Sequence, residues 1–168
     1  MRIIFLDIDG VLNNQLWFVK TKGKRNPDDL DPESIKYLNN LIKETGAIVV
    51  VSSVWRLNRT IDELQEVLDK NGFVGTVIGR TLDMRWGKDS DCILRGNEIL
   101  QWIKSHIEYT GQEYWNYRDY VILDDDTDML YWQKDNFIWV DPYCGLTPNL
   151  VFKAKKILMG KEFDTLKG

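Results

Sequence analysis

Residues 2–13, Arg2-Ile3-Ile4-Phe5-Leu6-Asp7-Ile8-Asp9-Gly10-Val11-Leu12-Asn13, constrain the fold of this chain more than any other stretch. The apolar run Ile3 to Leu6 reads as a short strand buried on both faces. Asp7 and Asp9 fall at its carboxyl end, and Gly10 permits a sharp exit that a side chain would obstruct. Side chains at i and i+2 of a strand point the same way. Two carboxylates held together repel, so one of them takes a proton unless a cation lies between them. Asp and Gly also mark ordinary turns at strand ends, so the rest of the chain must decide between a turn and a site.

The rest alternates apolar runs with amphipathic segments. Residues 14–30 are long and polar and read as a flap or loop insertion. They hold Trp17-Phe18-Val19 and then Lys20, Lys22, Lys24 and Arg25. These cations either meet a polyanion or make a solvated loop. Asp31 as N-cap, Pro32 at the first helical position and Gly46 as the stop predict a helix, with Ile35, Leu38, Leu41 and Ile42 inward. Ala47 to Val51 is a second buried strand, ending in Ser52-Ser53, after which Val54-Trp55-Arg56 leads on. Thr60 and Glu63 form the capping box of a second helix, with Leu64, Val67 and Leu68 inside and Gly72 at its end. Phe73 to Ile78 reads as a third strand. Residues 79–94 read as a loop insertion carrying Arg80, Arg85, Trp86, Lys88, Asp89 and Asp91. A third helix starts near Arg95 and runs through Ile99, Leu100, Trp102, Ile103 and Ile107 to Gly111. Tyr120 to Leu123 is the fourth strand, running into Asp124-Asp125-Asp126-Thr127-Asp128. Met129 to Gln133 reads as a short helix and Phe137 to Val140 as the fifth strand. Thr147-Pro148 opens the last helix, Gly160 stops it, and residues 161–168 read as a frayed tail.

Strands and helices alternating at this spacing predict one α/β domain over residues 1–168. It is a Rossmann-like three-layer sandwich around a five-stranded, mostly parallel sheet. Ligands of such sheets bind at the carboxyl ends of the strands. Three strands end there in reactive groups: Asp7/Asp9, Ser52/Ser53 and Asp124/Asp125. They converge if the first strand is central and the second and fourth flank it. An all-oxygen set of carboxylates suits Mg²⁺, which often shares its shell with a phosphate. A carboxylate can then attack phosphorus, and a second carboxylate two residues on can protonate the leaving oxygen. Arg56 is open to two readings, a phosphate contact or a surface ion pair, and His106 reads as a surface or half-buried histidine.

These residues, in this order, resemble the haloacid dehalogenase-like (HAD) phosphohydrolase superfamily. The resemblance rests on DxDGVLN at Asp7 to Asn13, the strand ending in Ser52, a basic residue near the third helix, and the acids Asp124-Asp125. It implies Asp7 as nucleophile and Mg²⁺ ligand, and Asp9 as general acid/base with its backbone carbonyl on the metal. It also implies Ser52, in preference to Ser53, on a phosphate oxygen, and Asp124 and Asp125 as distal metal contacts, with Asp128 a further candidate. The basic residue steadying the phosphoryl group is usually Lys in this family, and Arg95 is favoured here over Lys88 and Arg80. Val-Ser-Ser-Val-Trp-Arg, Arg-Gly-Asn-Glu-Ile and Leu-Asp-Asp-Asp look closest to the HAD domains of bacterial and phage RNA-repair proteins.

The family's cap domains usually close over small metabolites. Neither insertion point here is long enough for a folded cap, so the substrate expected is large, such as an RNA or DNA end carrying a phosphate. Trp17, Phe18, Trp55 or Trp86 could stack a base, or pack loop onto sheet. Net charge is −4, so no global field draws in nucleic acid or membrane. Cys92 and Cys144, the chain's 2 cysteines, read as reduced thiols of a cytoplasmic protein. No apolar run approaches a membrane span, and no protein partner can be inferred. Two other functions stand beside a Mg²⁺-dependent phosphomonoesterase acting on a nucleotide or polynucleotide end. One is a non-catalytic receiver-like module phosphorylated on Asp, and the other is a Mg²⁺-dependent nuclease.

Overall fold

In the computed structural model, which describes residues 1–24, 26–84, 93–106 and 119–160, the apolar run Ile3–Leu6 forms strand β1 at the centre of the sheet. The other strands are β2 (Ile48–Val51), β3 (Val77–Arg80), β4 (Tyr120–Asp124) and β5 (Phe137–Trp139), in the order β3-β2-β1-β4-β5. Every pairing between these strands is parallel. Five helices accompany them among the described residues: α1 (Gln15–Lys20), α2 (Pro32–Thr45), α3 (Ile61–Lys70), α4 (Arg95–Ser105) and α5 (Pro148–Met159). Alternation along β1 sorts the layers. Ile4 and Leu6 join Ile35, Leu38, Leu41, Leu64, Leu68, Ala154 and Leu158, so α2, α3 and α5 cover one face. Ile3 and Phe5 face Ile99, Trp102 and Ile103, so α4 covers the other. The result is the expected three-layer α/β sandwich.

The strand order bears directly on the receiver-like alternative. A flavodoxin-like sheet of the receiver type runs 2-1-3-4-5, with β1 beside β3. Here β1 lies between β2 and β4.

Helix ends follow the capping residues. Asp31 accepts from Glu33 N at the start of α2, and Gly46 ends it at φ +64°. The Thr60–Glu63 capping box opens α3, and Thr147 caps α5. Four expected boundaries move, one of them the end of α4, which stops at Ser105 with His106 as its C-cap where the expected helix ran on. Residues 14–30 are not wholly loop: Asn14 caps the N-terminus of α1, its Oδ1 accepting from Trp17 N at 2.8 Å. The third strand begins at Val77, not Phe73, and runs through Arg80 into the expected loop. Gly75 packs so closely on Phe73 and Ile42 that a Cβ there would lie 2.5 Å and 2.7 Å from them, and Phe73 is core. The chain is therefore still packed on α2 where a strand was expected, Val74 N donating to Asn39 Oδ1 at 3.0 Å. Of Met129 to Gln133, only Tyr131–Gln133 is helical, as a 3-10 turn. Arg25, Arg85, Trp86, Lys88, Asp89, Asp91, Cys92, Ile107, Gly111 and the expected tail 161–168 lie outside the described residues. Among the described residues no helix is long and apolar enough to cross a membrane.

Candidate active site

Register places the site. Leu6 pairs with Val51 on one side and with Leu123 on the other. The next residue of each strand, Asp7, Ser52 and Asp124, therefore lies on one rung at the carboxyl edge. Oxygens of Asp7, Asp124 and Asp125 all lie within 4.8 Å of one another. Gly10 makes room for this: it turns at φ +73°, and a Cβ there would sit 2.3 Å from Asp125 Oδ2. Both the conformation and the space exclude a side chain.

The group is buried and electrostatically frustrated. Asp7 is buried, Asp124 is 1 % exposed and Asp125 is half-buried. Burial pushes the Asp7 carboxyl from 3.8 up to about 6, against a hydrogen bond with Ser53, the positive charge of Arg95 and the Ile8 amide, which donates to Oδ1 at 2.8 Å. Burial and the neighbouring Asp7 charge push Asp124 up to about 8. Asp125 is raised too, first by burial. Asp124 Oδ1 accepts from the Asp126 amide at 2.9 Å, but Asp124 Oδ2 is buried and has no hydrogen-bond partner among the described residues. An orphaned carboxylate oxygen facing two more carboxylates fits a hard divalent cation, which would take those oxygens as ligands and remove the repulsion.

The other candidates divide. Arg95 stands at the start of α4, where its charge acts on both Asp7 and Asp124, and its Nη1 donates to the Ser52 carbonyl. Ser53, rather than the preferred Ser52, shares a hydrogen bond with Asp7, while Ser52 Oγ accepts from Thr81 Oγ1 at 3.4 Å. Asp9 is two residues from Asp7 but outside the cluster. Its Oδ1 accepts from Asn13 Nδ2 at 3.0 Å and its Oδ2 from Trp55 Nε1 at 2.9 Å. Asp128 is tied to the helix holding Arg95: its Oδ2 accepts from the Arg95 amide at 2.7 Å, and its Oδ1 is buried without a partner among the described residues. α4 has no side-chain cap of its own, so Asp128 serves as one from another segment.

Arg56 is neither a surface ion pair nor presented as a phosphate contact. It is 2 % exposed. It donates to the carbonyls of Thr81 (3.0 Å) and Ser53 (2.6 Å) and to Glu98 Oε2 at 2.6 Å. Glu98 Oε1 in turn accepts from the Met84 amide at 3.0 Å. This buried pair ties the chain after β2 to the chain after β3. Arg56→Met leaves Glu98 buried and unpaired, and its expected cost is about 3–5 kcal/mol of folding stability. Denaturant unfolding checks this, and no comparable rise in KM is expected of the folded fraction. Arg80 Nη1 donates to the Arg56 carbonyl at 2.6 Å and so supports the same segment. His106 ends α4 half-buried, its ring stacked on Trp102 at 4.2 Å.

Two contributors escaped the sequence reading: Asn13 and Trp55 as donors to Asp9. Asn13 lies in the turn whose amides close on Ile8, so the spacing from Asp9 was a usable signal. Trp55 comes from another strand's end and left none. Lys20, Lys22 and Lys24 are exposed on or just after α1, and Cys144 is an exposed free thiol.

Comparison with known proteins agrees with this geometry. The model of a family described as the HAD domain in Swiss Army Knife RNA repair proteins matches residues 3–151. No curated protein and no solved structure gives a match.

Proposed function

Because this chain belongs to the HAD domains of Swiss Army Knife RNA repair proteins, we propose that it is a Mg²⁺-dependent phosphomonoesterase acting on the phosphate of a nucleotide or polynucleotide end. The family supports a phosphatase-type hydrolase in general. The observation that carries the finer reading is the cluster of Asp7, Asp124 and Asp125 oxygens, within 4.8 Å of one another, with the Arg95 charge beside it.

The residues then divide the work. An Asp7 oxygen attacks phosphorus as the ester P–O bond breaks, giving an acyl phosphate on Asp7. The departing oxygen takes its proton from Asp9. Asp9, now a carboxylate, takes a proton from water as that water attacks the phosphorus of the acyl phosphate. The bond from phosphorus to Asp7 breaks, inorganic phosphate leaves, and both carboxyl groups return to their starting states. Arg95 and Ser53 steady the phosphoryl oxygens through charge and hydrogen bonding. Mg²⁺, when held by Asp7, Asp124 and Asp125, supplies positive charge between these carboxylates and the anionic substrate. Among the described residues the first insertion point carries the six-residue α1 and no folded domain. That leaves this side of the site open to a large substrate, with Lys20, Lys22 and Lys24 available to phosphates.

The test is phosphate release from RNA and DNA oligonucleotides carrying 3′- or 5′-phosphates, with Mg²⁺ and with EDTA, alongside trapping of the enzyme with beryllium fluoride. Mg²⁺-dependent release of phosphate, with a trapped complex, supports the proposal. Chain cleavage without phosphate release points to the nuclease, and at most one phosphate per chain points to a binding module.

Metal and proton compete for the same oxygens, which sets a pH dependence. The folded-state pKa values of Asp7 and Asp124 lie above the ordinary value of 3.8. The stability they contribute is therefore complete below about pH 4 and is lost as pH rises through about 6 and about 8. The metal-free fold consequently loses stability from these two groups toward alkaline pH, where the cation restores it. The increase in Tm on adding Mg²⁺ is expected to be larger above pH 8 than below pH 5. Equal increases, measured by scanning fluorimetry, would contradict the assignment.

A further inference from the structure

Resting on the phosphatase reading above, we infer that Trp55 is a positioning residue for Asp9: its indole N–H fixes the carboxyl in the orientation from which it hands a proton to the leaving oxygen. An aspartate side chain has a broad, roughly two-fold terminal rotor, so a proton donor at a strand end needs something to aim it. Here two donors grip it from opposite elements. Asn13 Nδ2 reaches Oδ1 at 3.0 Å and Trp55 Nε1 reaches Oδ2 at 2.9 Å. A carboxylate offers about four lone-pair sites, so two donors leave sites for the exchanged proton.

Trp55 is itself held on several sides. It lies in the 3-10 turn Val54–Arg56, whose Ser53 hydroxyl accepts from the Trp55 amide. Its ring packs against the larger core cluster. On the outer side the Arg59 guanidinium lies 4.8 Å from the ring centroid, and Arg59 is anchored by Asp28 Oδ1 at 2.7 Å. A cation over the ring face is attracted by its quadrupole. The indole is a donor only, so it cannot trade roles with the carboxyl it holds. Packing alone would account for the ring but not for an N–H directed at the one acidic residue of the Asp7–Asp9 pair that stands outside the cluster.

The experiment separates positioning from packing by the leaving group. A 2,4-dinitrophenolate leaves without a proton, whereas the alkoxide from glycerol 2-phosphate needs one. General acid catalysis contributes about 10²–10⁴-fold in rate. Trp55→Phe keeps the ring and removes the N–H. It is expected to lower kcat/KM, which reports only the steps through departure of the leaving group and not the later hydrolysis of the acyl phosphate, by at least roughly 10-fold on glycerol 2-phosphate, and to leave kcat/KM on 2,4-dinitrophenyl phosphate within about 3-fold. Asp9→Asn should show the same split more deeply, and adding Trp55→Phe to it should cost nothing more, because the two act through one group. Arg59→Met, which loosens the ring from outside, should give a smaller split of the same kind, and it carries the test if Trp55→Phe does not fold. Equal losses on both esters, no loss on the alkyl ester, or a further loss in the double variant overturn the inference. A wild-type protein inactive on both esters and on oligonucleotides carrying terminal phosphates overturns the phosphatase reading instead.

Discussion

Asp7→Asn is expected to lower phosphate release by on the order of 10⁴-fold or more, because in the proposed mechanism Asp7 is the group that makes the bond to phosphorus. The amide is nearly isosteric, so a folding defect should not blur the result. The raised Asp7 pKa predicts the opposite: the carboxyl is held in a place that resists its charge, and an amide relieves this. The metal-free variant should therefore melt at or above the wild-type temperature at pH 8. It should also give no acid-stable or beryllofluoride-trapped adduct at this position. A folded Asp7→Asn protein with full turnover would remove the nucleophile assignment outright.

Asp124→Asn gives the second large effect, with a sign that separates metal binding from simple structure. Asp124 lies in β4, is nearly inaccessible, and has one oxygen without a partner among the described residues. Replacing it should raise the Tm of the metal-free protein at about pH 8, by roughly 2–4 °C for each kcal/mol of repulsion removed. The same change should weaken Mg²⁺ binding by about 10²-fold or more, since even residues that only orient metal ligands cost 10–100-fold. Stability up and metal affinity down is the expected pair. A variant less stable in EDTA than the wild type would show that Asp124 holds the fold through contacts a cation does not explain.

Much of this arrangement is written locally. The runs Ile3–Leu6, Ile48–Val51 and Tyr120–Leu123 are apolar enough to be central strands, and each ends abruptly in a polar group. Asp31-Pro32, Thr60 with Glu63, and Thr147-Pro148 carry their own capping partners within three residues. These features placed the strands, the helices and the edge at which Asp7, Asp124 and Asp125 meet. What stayed hidden depends on partners far away in the chain. Arg56 reads as a phosphate contact or a surface ion pair until Glu98 is brought to 2.6 Å across the sheet end. Asp128 reads as one more metal acid, yet it also caps the helix that carries Arg95. Ser52 and Ser53 are chemically identical neighbours, and only the twist of the chain after β2 decides which hydroxyl meets Asp7. The helix α1 carries no clear apolar period, and its start depends on Asn14, whose side chain also reaches Asp31 Oδ2 at 2.6 Å.

The central position of β1 has a consequence for biosynthesis. Ile3 pairs with Ile48 early in the chain, but its other edge waits for Tyr120. On the ribosome, an emerging chain would hold Asp7 at an open sheet edge until β4 has been translated, and pairings this distant along the chain close slowly. Nascent protein halted before Asp124 would therefore be catalytically silent and prone to sticking to its neighbours. The candidate cation-binding centre would come into being only once Asp124 and Asp125 had been translated.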